Sequence, residues 1–180
     1  MKNIIIVVDM QNGNMNTPET MEIKNKLSKL LSNRVFDKVI ATRFILGDNS
    51  TYEKYLGYSD VITVQGRSLV CGIVEYANVV IDRFSYGCNV IDLIQKLRQL
   101  NNGEIPEKVF ITGVDLDRSV MQIAVGLFEV GIRPVVLTKY SASTGGEEPA
   151  KAGISCLQRM IGTNQLVSID INSKDDLGKL

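Results

Sequence analysis

The chain has 180 residues, 44% of them hydrophobic, and its 20 basic and 20 acidic residues give a formal net charge of zero. This length predicts one domain over residues 1–180, because domains typically contain about 100–200 residues. A balanced charge disfavours nucleic acid and anionic membranes as partners, since both require clustered Lys and Arg. The absence of histidine excludes Ser-His-Asp triads and metal sites built on imidazole.

Runs of apolar, β-branched residues predict six strands. The first run, Ile4 to Val8, ends at Asp9, and a continuous apolar run of this kind suits a strand buried on both faces. Similar runs predict the other strands at residues 38–43, 79–81, 109–111, 134–137 and 166–169.

Apolar residues at helical spacing predict helices between these strands. Thr17 and Pro18 are typical of a cap and a first helical position, and they precede an apolar stripe from Ile23 to Leu31. Further helices are predicted near residues 52–56, 90–97, 120–128 and 149–161. We expect the polar tail after Asp170 to be loosely held.

The alternation of strands and helices predicts an α/β fold, a three-layer α/β/α sandwich with a mainly parallel, Rossmann-like sheet. In such sheets, ligands bind beyond the carboxyl ends of the strands. Three predicted strands end in polar segments, at residues 9–12, 82–83 and 113–119. These segments are therefore the candidate binding site.

Each of these segments has a functional and a structural interpretation. Asp9 ends a buried strand, so it is either a base or ion-pair partner, supported by Gln11 and Asn12, or a turn residue. Arg83 either pairs with Asp9 or holds an anion, or else it is a surface residue. Ser119 begins a predicted helix, where it is either a nucleophile or, as the residues by themselves favour, a capping residue.

The three cysteines, Cys71, Cys88 and Cys156, have no metal-like spacing and fit reduced thiols in a cytoplasmic protein. We expect Cys71 and Cys156 to be packing residues. No signal peptide is expected before the first strand, and no apolar run approaches the roughly 18 residues of a membrane span.

Four tyrosines fall in or near the irregular segment after the second strand. They either line a pocket for a planar ligand or, as such spacing more often indicates, serve as packing or interface residues. They are Tyr52, Tyr55, Tyr58 and Tyr86.

Two motifs resemble segments of the isochorismatase-like cysteine hydrolases. The segment 7–13, VVDMQNG, resembles the opening strand and turn of that family, and the segment 113–120, GVDLDRSV, resembles its nucleophile segment. The resemblance runs from residue 3 to about residue 170. It implies a six-stranded parallel sheet, a homo-oligomer and a catalytic triad of aspartate, lysine and cysteine.

Asp9 matches the aspartate of this triad, whereas Arg83 stands at the lysine position and Ser119 at the cysteine position. The resemblance also implies a cis peptide bond between Val114 and Asp115, with backbone N–H groups of Asp115 and Ser119 forming an oxyanion hole. The metal-binding histidines of the family's nicotinamidase branch are absent. We therefore expect no metal and no cofactor.

The substituted triad predicts weakened or lost cysteine-hydrolase chemistry. A serine hydroxyl is a far weaker acid than a cysteine thiol, and an arginine side chain cannot pass on a proton as lysine does. The sequence thus predicts a divergent hydrolase-like protein that acts on, or binds, a small molecule, with C–N or related bonds as the family's targets. The alternative is a binding, regulatory or assembly protein that uses the same cleft without turnover.

Overall fold

A computed structural model describes residues 1–180 and contains one six-stranded sheet. All neighbouring strands in the sheet are parallel, and their order is β3-β2-β1-β4-β5-β6. The strands are β1 (Ile4–Val8), β2 (Lys38–Phe44), β3 (Val79–Arg83), β4 (Lys108–Gly113), β5 (Arg133–Ser141) and β6 (Leu166–Val167). The predicted α/β architecture is confirmed.

Seven α-helices accompany the sheet. They are α1 (Pro18–Ser32), α2 (Thr51–Leu56), α3 (Val64–Arg67), α4 (Val90–Leu100), α5 (Met121–Glu129), α6 (Glu147–Ile161) and α7 (Lys174–Gly178). The Thr17 side chain caps α1 as predicted, because its hydroxyl accepts from the Thr20 N–H and Pro18 occupies the first helical position. No helix combines the length and the apolar character needed to cross a membrane.

Alternation along β1 places a hydrophobic cluster on each face of the sheet. Ile5 and Val7 belong to the cluster that includes the apolar stripe of α1 and Leu177 of α7. Ile4, Ile6 and Val8 belong to the cluster covered by α4, α5 and α6. The sheet is therefore buried between two helical layers, as continuous apolar strands require.

The structure differs from the sequence prediction at the C-terminal end of the chain. β6 has two residues rather than four, and β5 extends to Ser141. The tail after Asp170 is not loosely held, because Ile171 and Leu177 are 2% and 0% exposed in the core. Burial of these two apolar side chains fixes the tail to the core although most of its other residues are polar.

Two cysteines also lie in other environments than we predicted. Cys71 and Cys156 are exposed free thiols rather than packing residues, and Cys88 is partly buried. Cys156 lies on α6 next to Leu157, whose side chain is fully buried. A cysteine side chain is small and can lie on either the buried or the exposed face of a helix. Residue type alone therefore could not predict which face Cys156 occupies.

Candidate active site

Three strand ends bring the predicted triad residues together. Asp9 follows β1, Arg83 is the last residue of β3, and Ser119 lies in a π-helical turn (Leu116–Val120) that follows β4. These residues are 2%, 4% and 4% exposed. Parallel strands end at the same edge of the sheet, so residues 36 or more positions apart in sequence become direct neighbours.

Gly113 places the segment 113–120 against the end of β1. Its φ of 115° lies in the region that favours glycine, and a side chain here would collide with the Val8 carbonyl. The next residue, Val114, donates its backbone N–H to the same Val8 carbonyl over 3.0 Å. This close approach brings the π-helical turn alongside Asp9.

The Arg83 guanidinium lies between the other two residues of the triad. Its Nη2 forms an ion pair with Asp9 Oδ2 and donates a hydrogen bond of 2.7 Å to Ser119 Oγ. Its Nη1 donates to the Ser85 carbonyl, and its Nε is buried without a hydrogen-bond partner. Of the two interpretations of Arg83, the structure favours a pair with Asp9 over a surface arginine.

Asp9 is held by a neighbouring strand end and by the turn that follows it. The Thr42 hydroxyl donates to Asp9 Oδ1 over 2.7 Å and accepts the Asp9 N–H over 3.2 Å. The Asn14 side chain donates to the Asp9 carbonyl over 2.9 Å, and Asp9 adopts a positive φ of 48°. Both carboxylate oxygens are therefore occupied, one by Thr42 and one by Arg83.

An aromatic ring also packs against the Arg83 guanidinium. The guanidinium carbon lies 5.1 Å from the centre of the Phe44 ring, a distance typical of cation–π contact. Burial lowers the pKa of Arg83, but the ion pair with Asp9 opposes this effect, so the guanidinium stays protonated at neutral pH. Burial also raises the pKa of the Cys88 thiol, against the opposing charge of Arg83, so the thiolate is disfavoured there.

Ser119 has one hydrogen-bond partner among the side chains, the donating Arg83. The peptide bond between Val114 and Asp115 is cis, as the resemblance implies. The backbone N–H of Asp115 has no hydrogen-bond acceptor within the chain, so it is one free donor near the start of the turn. The Ser119 hydroxyl donates no hydrogen bond to a carboxylate or other base and only accepts from Arg83.

A second ion pair lies on the same turn. Asp115 Oδ2 is 2.7 Å from Arg118 Nη2, and Asp115 also accepts from the Thr144 N–H over 2.6 Å. Burial raises the pKa of the Asp115 carboxyl, and the charge of Arg118 and the bonds from Thr144 oppose this effect. Arg118 in turn lies 5.7 Å from the centre of the Tyr86 ring.

Three of the four tyrosines pack around Phe44 near Arg83, which favours the packing interpretation for them. Tyr52, Tyr58 and Tyr86 have ring centres 4.9, 6.1 and 5.7 Å from that of Phe44. Tyr55 is 70% exposed and takes no part. Phe44, which the other three tyrosines surround, packs against the guanidinium.

The structure places Gln11 and Asn12, for which ligand contacts were predicted, in different surroundings. Gln11 is fully buried, and its amide donates to the carbonyls of Phe44 and Arg67 and accepts the Phe44 N–H. Asn12 is exposed and its amide is 3.4 Å from the Gln65 carbonyl. The Gln11 amide, which we had assigned to a ligand, therefore binds backbone groups of Phe44 and Arg67 instead.

Sequence reasoning missed Thr42, Asn14 and Thr144, which hold Asp9 and Asp115. Thr42 lies near the carboxyl end of β2, so the rule that singled out the other strand ends also applied to it. Asn14 and Thr144 lie in turns, and no local pattern distinguishes them from other polar turn residues.

The histidine-based metal site of nicotinamidases has no counterpart in this chain. There is no histidine, and no group of three or more Cys, Asp or Glu side chains is placed to hold a metal ion. A cavity of about 390 Å³ beside β3 and α4 is lined by Arg83 and Cys88 but not by Asp9 or Ser119. Only one member of the triad therefore borders that cavity.

The fold is that of the isochorismatase-like hydrolases and nicotinamidases. An isochorismatase-like hydrolase from Alkaliphilus metalliredigens matches with a TM-score of 0.76 and 16% identity, over 99% of this chain and 98% of that chain. The nicotinamidase PncA from Bacillus subtilis matches with a TM-score of 0.75 and 20% identity, over 94% of this chain and 100% of that chain.

A third structure, PnC1 from L. infantum in complex with nicotinate, matches with a TM-score of 0.74 and 19% identity, over 93% of this chain and 96% of that chain. No protein-family model and no curated protein sequence matches the chain. The likeness is thus one of three-dimensional structure, which persists at identities of 20% and below.

Proposed function

We propose that this protein is a divergent member of the isochorismatase-like hydrolases whose cysteine-hydrolase chemistry is weak or lost, and which binds a small molecule at the cleft of that fold. One observation carries the proposal. The Arg83 guanidinium stands between Asp9 and Ser119 and donates to both. The acid and the hydroxyl therefore share one donor, and no hydrogen bond joins them directly.

This arrangement leaves Ser119 without a base. A guanidinium has five N–H donors and no acceptor, so Arg83 cannot take the hydroxyl proton. Asp9 is the acid of the predicted triad, but its Oδ2 is paired with Arg83 and it accepts no hydrogen bond from Ser119. Serine nucleophiles need an adjacent, aligned base, and removing a triad nucleophile costs on the order of 10⁶ in rate in a well-studied protease.

Lysine and cysteine at these two positions would behave differently. A thiol with an ordinary pKa near 8.5 becomes a thiolate beside a cation, and a lysine ammonium loses a proton more readily than a guanidinium does. Restoring both residues is therefore the sharpest test of whether the cleft is an altered triad.

Hydrolysis of nicotinamide is a suitable test reaction because nicotinamidases share this fold. The ammonia released measures its rate. We expect no turnover by the native protein above that of Ser119→Ala. A panel of small amides and esters extends the assay to other substrates. Turnover by the native protein that Ser119→Ala abolishes would show that the chemistry is not lost.

The double variant Ser119→Cys/Arg83→Lys tests the triad itself. We expect iodoacetamide to modify residue 119 at pH 7, with the site located by mass spectrometry because three other cysteines are present. Ser119→Cys alone serves as the matched control. It should also be labelled, since Arg83 is a cation as well, but only the double variant should hydrolyse an amide, because only lysine can pass on a proton. Equal, negligible labelling of both variants, with folding intact, would contradict the proposal.

We further infer that residues 1–180 form one domain and that the protein is a cytoplasmic homo-oligomer. The single sheet, which takes strands from residue 4 to residue 167, supports one domain, and three free cysteines support a reducing compartment. The open edge at β3 and the exposed Phe84 and Ile91, at 71% and 65%, support self-association. Light scattering coupled to size exclusion measures the oligomeric state.

A further inference from the structure

The Asp115 carboxylate is bound by three donors, two of which belong to a distant loop. Oδ1 accepts from the Thr144 N–H over 2.6 Å, and Oδ2 accepts from the Thr144 hydroxyl over 3.0 Å. Oδ2 also lies 2.7 Å from Arg118 Nη2. Arg118 also donates over 3.0 Å to the Thr144 hydroxyl. The Arg118 and Thr144 side chains therefore hold each other in place.

These donors are of the kind that recognises a free carboxylate. A guanidinium, a backbone N–H and a hydroxyl converging on two oxygens form charge-assisted hydrogen bonds, which are the strong ones. The contacts depend on the carboxylate group and not on its covalent link to the chain. Arg118 immediately precedes Ser119 in the π-helical turn, so one of these donors belongs to the segment that carries Ser119.

We propose that Arg118 and Thr144 form a carboxylate-binding subsite beside Ser119, and that Asp115 fills it as an intramolecular ligand. A tethered group competes at an effective concentration in the millimolar range or higher. Asp115 therefore keeps small carboxylate compounds out of the subsite in the native protein. The subsite depends on its own contacts and does not require that Ser119 react.

Asp115→Ala tests this proposal because it removes one carboxylate group and leaves space of about the size of formate. We expect sodium formate to raise the thermal midpoint of this variant by about 2–4 °C over an equal concentration of sodium chloride. The native protein should show no difference between the two salts. The Thr144 amide resonance should shift on titration with formate in the variant alone.

Two variants control for non-specific salt effects. Asp115→Asn fills the same space with an amide, and Asp115→Ala/Arg118→Met lacks the guanidinium, so neither should respond to formate beyond the chloride effect. A folded Asp115→Ala protein that formate stabilises no more than chloride does would overturn the proposal, as would equal rescue of the double variant.

Asp115→Ser provides a second route if Asp115→Ala does not fold. It keeps a hydroxyl near the Thr144 N–H and still lacks the carboxylate, so the same response to formate is expected. Acetate and nicotinate then measure how much space the subsite offers toward the cleft. No shift of the Thr144 resonance with formate in the folded serine variant would again contradict the subsite.

Discussion

Arg83 Nη2 lies 2.7 Å from the Ser119 hydroxyl oxygen and belongs to a guanidinium that is almost completely buried. The contact joins the end of β3 to the turn after β4 across the end of β1. The same nitrogen also pairs with the buried Asp9 carboxylate and balances its charge. Breaking it therefore affects stability in a way that a surface pair would not.

Arg83→Met should destabilise the protein strongly. The variant leaves the buried Asp9 carboxylate without its counter-ion, and removing one partner of a buried pair costs about 3–5 kcal/mol. Urea unfolding measures the change in the free energy of unfolding. The double variant Asp9→Asn/Arg83→Met removes both charges and should regain a large part of the loss.

Additive effects of the two single substitutions would contradict this interpretation. Additivity would mean that Asp9 and Arg83 act independently. Their side chains are each only 3% exposed, so solvent screening does not weaken the expected coupling.

Thr42→Val should destabilise the protein by about 1–3 kcal/mol, the cost of leaving a buried polar group unpaired. The hydroxyl donates to the Asp9 carboxylate and accepts the Asp9 N–H, and valine has the same shape without these bonds. Thr163→Val is the matched control, since Thr163 is exposed and its hydroxyl forms no hydrogen bond. A change at Thr163 as large as that at Thr42 would show that valine itself is responsible.

Gly153→Ala should destabilise the protein although alanine favours helices by about 1 kcal/mol over glycine. A methyl group at Gly153 of α6 would lie 2.7 Å from the Asp117 Cα, a backbone atom of the π-helical turn. Overpacking of this kind costs about 1–3 kcal/mol. To relieve this contact, α6 and the π-helical turn would have to move apart, and that movement would displace Ser119 relative to Arg83.

Gly126→Ala provides the control for helix propensity. Gly126 lies inside α5 with no atom within 4 Å of the position of an added methyl group. We expect this variant to be more stable than the native protein by about 0.5–1 kcal/mol. Equal stabilisation of both alanine variants in thermal unfolding would show that α6 can move away from the turn.

The Asp115 carboxyl should make stability depend on pH. Burial raises its pKa in the folded state above the ordinary value of 3.8, so the folded protein binds more protons than the unfolded one in the window just above that value. The free energy of unfolding therefore loses a contribution as the pH rises through this window.

Comparison with Asp115→Asn isolates this contribution. The stability of the native protein relative to the variant should be greatest at the acidic end of the range and should fall as the pH rises. Urea unfolding of both proteins at several pH values gives the difference. A constant difference, or one that grows with pH, would show that the carboxyl is not destabilised by burial.

Local sequence determined the elements and the place of the site. Continuous apolar runs such as Ile4 to Val8 can be buried only in a sheet covered on both faces, and the Thr17–Pro18 pair begins α1 by itself. The carboxyl ends of parallel strands then meet at one edge for any such chain. These properties depend on residues close together in sequence, and they were enough to select the segments 9–12, 82–83 and 113–119. The grouping of Asp9, Arg83 and Ser119 as a triad came from the resemblance to a known family.

Tertiary structure alone decided how those residues are connected. Whether Gln11 faces a ligand or the backbone of Phe44, and whether Asp115 faces solvent or Thr144, depends on segments about 30 positions away. The same holds for the tail, where packing of Ile171 and Leu177 overrides a polar composition. A polar side chain forms hydrogen bonds with the groups that the folded chain brings within about 3 Å. Those groups come from distant parts of the sequence, so the residues next to it cannot predict them.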